Sequence, residues 1–132
     1  SGRVYLAFSP PTQRDSLLDI LARSNREEDK LARNRPELMK MLSEAKMQGF
    51  ASAVRPRRVS DEISISVPIM IDDRVLATVM TRFSGTAVPL KLAVERFLPK
   101  LRETATKIRQ TFLDQQREAP AQGQRPMLVV SR

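Results

Sequence analysis

Residues 62 to 83, EISISVPIMIDDRVLATVMTRF, set Glu62, Ser64, Ser66, Met70, Leu76, Thr78, Met80 and Arg82 at the even positions of two extended runs around a short acidic turn. Side chains two apart on a strand share a face. Hydroxyls, a flexible thioether and a guanidinium therefore meet where lysine and glutamate would be ordinary. Such a face can wall a pocket for a small organic acid, with arginine making a two-pronged hydrogen bond to a carboxylate. The structural alternative is that Arg82 pairs across the strands with Glu62 while the serines are merely solvated. The residues alone leave both open.

Catalysis has little to work with. The chain has no histidine and no cysteine, which removes the commonest general base, disulfides and thiolate metal sites. The adjacent acids Asp61–Glu62 and Asp72–Asp73 point to opposite faces when extended and read as strand-end or turn residues. No serine lies in a nucleophile elbow and no glycine loop cradles a phosphate. The reading is of a protein that is not an enzyme and needs no cofactor or metal.

The net charge of +8 and the pI near 10.8 draw the chain toward polyanions at low salt. Part of that charge lies in RPRR, Arg55 to Arg58; most of the rest is mixed with acids along helical patterns and reads as solvated surface. RNA modules stack bases on sheet aromatics, and the even face has none. A helix-turn-helix needs two closely joined helices, whereas those predicted at 12–23 and 36–48 are separated by a long polar stretch. The alternative to a small-molecule site is thus a basic interaction or non-specific nucleic-acid-binding domain without a small ligand.

The elements that would position this face can be read along the chain. Its 132 residues, 41% of them hydrophobic, suit one domain. With no apolar run of membrane-spanning length and no secretory signal, the expectation is a cytoplasmic protein with no membrane partner. SGRVYLAFSP predicts a short helix closed by Pro10 and Pro11. A second helix is expected over 12–23, capped by Ser9 or Thr12, with Leu17, Leu18, Ile20 and Leu21 on one side. Residues 24–34 read as a loop. A third helix starts after Asn34, carries Leu38, Met41, Leu42 and Ala45 inward, and stops at Gly49.

In the two strands the odd positions Ile63, Ile65, Val67, Ile69 and Ile71, and Val75, Ala77, Val79 and Phe83, form the core face. For both sets to cover one core the connecting loop needs an odd number of residues, because a one-residue slip turns a strand over. Three residues, Asp72 to Arg74, meet that condition and set Ile71 opposite Val75. Two strands are not a stable sheet. The chain must contain further edge strands, dimerise through the sheet, or be part of a larger domain. A long helix follows, with Leu90, Ala93, Val94, Phe97, Leu98, Leu101, Ala105, Ile108 and Phe112 inward and Pro99 expected to kink or interrupt it. From Arg117 periodicity is lost, predicting a domain over 1–116 and a disordered tail over 117–132.

Together, SGRVYLAFSP, PELMKMLSEAKMQGFA, ISISVPIMIDDRVLATVMTRF and AVERFLPKLRETATKIRQ resemble, in order and spacing, the C-terminal part of the effector-binding domain of the IclR family of bacterial transcription regulators. The LAF(x)P segment and the LP in the last helix are most similar to the branch that activates aromatic-acid breakdown, such as the hydroxyphenylpropionate regulators. The resemblance implies an α+β, GAF-like antiparallel sheet flanked by helices, here a partial domain, that senses a small carboxylate or aromatic-acid effector in a homodimer or tetramer. Operator DNA would be bound through an N-terminal winged helix-turn-helix domain preceding Ser1, together with a linker helix and the first strands of the sensor. It also implies effector-binding roles for Ser1 and Gly2, in a small-residue turn facing the effector carboxylate, and for Ser64, Met80 and Arg82. Arg82, with Arg55 or Arg58, would neutralise that carboxylate. Ala53 falls near a position that is acidic in some members.

Overall fold

A computed structural model describes residues 2–118. The expectations for Ser1 and for the tail beyond Glu118 lie outside the described residues. The chain begins with α1 (Gly2–Phe8), whose Val4 and Ala7, three apart, are buried. Pro10 and Pro11 end it, and Pro11 opens α2 (Pro11–Ala22), where a missing backbone donor costs nothing. Neither Ser9 nor Thr12 caps α2: its N-cap is Pro10, without a side-chain bond, while the Ser9 hydroxyl turns back to donate to the Tyr5 carbonyl at 2.6 Å. The inward side of α2 is also narrower than its leucines suggest, since Leu18 is fully buried but Ile20 is 63% exposed.

The polar stretch read as a loop contains a 3-10 helix, Glu27–Arg33. Buried Ala32 and half-buried Leu31 fix it to the helical core. Then α3 (Arg35–Gln48) begins as expected, the Asn34 side chain accepting from the Glu37 amide and donating to the Glu37 carboxylate at 2.9 Å. It ends at Gly49, whose φ of +85° is the left-handed cap conformation.

β1 (Ala51–Arg55), β2 (Glu62–Ile71) and β3 (Arg74–Ser84) form an antiparallel sheet in the order β1-β2-β3. β1 is the edge strand that the two-strand reading lacked. Ile63 lies opposite Phe83, Ile65 opposite Thr81 and Val67 opposite Val79, so partners share parity as the core-face argument requires. The loop that joins them, however, has two residues, with Asp72 at φ +53° and Ile71 opposite Arg74. The odd residue sits in β3 instead: a register shift beside Ile69 and Met70 takes up the extra residue, as a β-bulge does. Pro68 is tolerated in the middle strand because β1 has already ended, at Ala51 opposite Ser66.

α4 (Leu90–Glu118) runs continuously through Pro99, which therefore does not interrupt it. It continues two residues past the expected domain end at 116, to Glu118. Its buried face, Ala93, Leu98, Leu101 and Ala105, packs on Ile65, Val67 and Ile69, and Phe83 meets Phe97 edge-on at 5.5 Å. Ile108, grouped with that face on sequence, is 42% exposed. The next residue, Arg109, donates from its guanidinium to the Met70 carbonyl at 2.8 Å, fastening α4 to the hairpin end. A second core joins α1, α2, α3 and Ala51 through Val4, Ala7, Leu18, Leu38 and Leu42. The fold is α+β, with α4 against the odd face of the sheet and α1 beside β2 and β3 on the other.

Candidate functional site

Antiparallel pairing puts three strands' worth of side chains on the face away from α4. Ala51 lies opposite Ser66, Ala53 opposite Ser64 and Arg55 opposite Glu62. On the other side Ser66 is opposite Met80, Ser64 opposite Arg82 and Glu62 opposite Ser84. The row is apolar and small in β1, hydroxylic in β2, and ends on charges at the open end.

A cavity of about 420 Å3 opens on this face, lined by Gly2, Arg3, Ala51, Ser52, Ala53, Arg55, Ser64 and Ser66. Small side chains at 51, 53, 64 and 66 leave the volume empty; α1 closes one side. The Arg3 guanidinium donates to the Ser52 carbonyl at 3.1 Å, tying α1 to β1 across the cavity wall. Ser66 is buried, and its hydroxyl donates to the Ala51 carbonyl at 3.5 Å. The volume falls within the range of small-ligand sites, and the lining contains two arginines, Ser64 and Ser66, the backbone of Ser52, whose side chain shares the Ile65 face, and no acid.

The predicted residues divide between two places. Gly2 and Ser64 line the cavity, as does Arg55. Met80 and Arg82 share its face one strand away, and Arg82 lines a neighbouring depression of about 260 Å3 with Glu62, Phe83 and Ser84. There Arg82 Nε lies 3.9 Å from one Glu62 oxygen and an Arg57 nitrogen 3.8 Å from the other, all at the surface. The cross-strand pairing left open by the sequence is thus present. Arg58 is exposed in the β1–β2 loop beside Val59, which is 97% exposed. Beyond the depression, Ser84 Oγ stands 2.6 Å from Ser60 Oγ and 2.9 Å from Thr86 Oγ1, a hydroxyl chain that closes the loop.

Sequence reasoning missed Arg3 and Ser52. ASAVR shows no alternation strong enough to announce a strand, and Arg3 follows the expected anion-facing turn without any spacing signal of its own.

No protein-family model matches the chain. Solved structures of similar fold include a proposed transcriptional regulator from Rhodococcus sp. RHA1, with a TM-score of 0.65 and 24% identity, over 83% of this chain and 44% of that one. They also include an IclR family transcriptional regulator from Brucella abortus, again with a TM-score of 0.65, at 18% identity, over 83% of this chain and 41% of that one. The chain spans less than half the length of either. It shares the fold of part of these transcriptional regulators.

Proposed function

We propose that this chain is the C-terminal part of the ligand-sensing domain of an IclR-type transcription regulator and that its even sheet face binds a small organic or aromatic acid. The observation that carries the reading is the cavity between α1 and β1–β2, lined by cations and hydroxyls and free of acids. Gly2, Ser64 and Arg55 contribute directly, while Met80 and Arg82 continue the face as its rim; Ser1 precedes the described residues. Arg82 lines the neighbouring depression beside Glu62, so the cations that face the cavity are Arg55 and Arg3.

In the complete regulator, which this reading places in the cytoplasm as a homodimer or tetramer, ligand occupancy shifts operator binding by a winged helix-turn-helix domain outside this chain. The coupling arises if the ligand contacts two states of the assembly differently. The LAF(x)P and LP segments make the aromatic-acid activators the branch to compare first. A thermal-shift panel of aliphatic and aromatic carboxylic acids on the 132-residue chain tests it, since a ligand that binds only the folded state raises its stability. Salt-dependent, sequence-indifferent DNA binding with no response to any acid would favour the basic interaction domain instead.

A further inference from the structure

We infer that the cavity selects a diacid, a small skeleton bearing two carboxylates, with Arg3 and Arg55 each holding one. The inference rests on the sensor reading above and adds the ligand class. Several arginines are paired: Arg57 and Arg82 with Glu62, Arg14 with Asp15, and Arg35 with Asp15 and Asp19. Arg3 and Arg55 have no carboxylate within ion-pair distance among the described residues, yet both line the same acid-free cavity.

Their anchors are well separated. Arg3 reaches the cavity from α1 and is held at the Ser52 carbonyl. Arg55 stands three residues farther along β1, about 10 Å at the rise of a strand. A monoacid meets only one of the two guanidiniums. A diacid satisfies both, and the serines between them suit a polar or short carbon skeleton. Each guanidinium–carboxylate contact is a charge-assisted hydrogen bond, so removing one is expected to weaken binding about tenfold or more.

The test is calorimetric titration of the 132-residue chain with succinate, glutarate and adipate, against butyrate, valerate and hexanoate of matched length, with sulfate at equal ionic strength as a charge control. The expected result is at least one diacid binding about tenfold tighter than its matched monoacid and than sulfate, with Arg3→Gln and Arg55→Gln each lowering it to the monoacid level. Circular dichroism melting of both variants checks folding; Arg55 is exposed and carries no structural bond, so its variant keeps the test valid if Arg3→Gln fails to fold. Equal binding of diacids and monoacids overturns the diacid inference and leaves the sensor reading standing. Sulfate binding as tightly as the diacids also overturns it, as general anion attraction. No binding by any acid overturns both.

Discussion

Replacing Ile65 with alanine, beside the adjacent control Ser64→Ala, separates the two faces of β2 energetically. Ile65 has no exposed surface and lies between Ser52 and Thr81 in the middle of the sheet, against α4. The substitution removes three carbons, which at about 0.8 kcal/mol each is about 2.4 kcal/mol of lost transfer free energy. The sheet and α4 hold the walls apart, so a cavity term raises the cost to about 3–4 kcal/mol. Ser64 points into an existing cavity and has no hydrogen-bonded role in the fold, so Ser64→Ala is expected to change stability by less than about 0.5 kcal/mol. Urea unfolding followed by circular dichroism measures both. With a slope of about 1–3 kcal/mol per molar, the Ile65→Ala midpoint falls by more than about 1 M and that of Ser64→Ala stays in place. Similar costs for the two variants, or a larger one for Ser64→Ala, would refute the assignment of faces on which the site rests.

Gly49→Ala is expected to cost about 1 kcal/mol in the same assay, because its φ of +85° disfavours a β-carbon; no loss would contradict the helix end. Asp72→Gly relieves the left-handed residue of the hairpin and is expected to stabilise by up to about 1 kcal/mol, whereas Asp72→Val destabilises. The reverse order would restore the three-residue loop. Glu62→Gln releases Arg57 and Arg82 beside the cavity. Since those arginine side chains are 54% and 59% exposed, stability should move by less than about 1 kcal/mol. Carboxylate binding should strengthen about two- to fivefold at low salt, and the gain should vanish at high salt; titration at two ionic strengths checks both.

The legible parts of the fold were those set by local chemistry. Asn34 and Gly49 mark α3 because a side-chain cap and a left-handed glycine act within a few residues. The alternation of Ile63 to Ile69 separates core from site because strand geometry allows no other pattern. Elements held by distant contacts were not legible. β1 is short and defined by its pairing with β2, the 3-10 helix is held by Leu31 and Ala32 against other helices, and α4 passes through Pro99 because the sheet supports both sides of it. The hairpin shows the limit: parity correctly demanded one extra residue, but whether turn or bulge takes it depends on local backbone strain. For the candidate cavity, the same logic placed Ser64 on its face together with Met80 and Arg82. It could not weigh Arg82 against Arg3, since that depends on Glu62 lying beside one and α1 folding the other over β1.

The central claim, that the face opposite α4 is a ligand site, is tested most directly by amide proton–nitrogen spectra of the 132-residue chain titrated with a carboxylic acid that raises its melting temperature. The account predicts saturable shifts concentrated at Gly2, Arg3, Ser52 to Arg55 and Ser64 to Ser66, with the amides of α4 unmoved. Shifts spread over the basic surface of α4 and the Arg57 to Ser60 loop, growing without saturation, would contradict it.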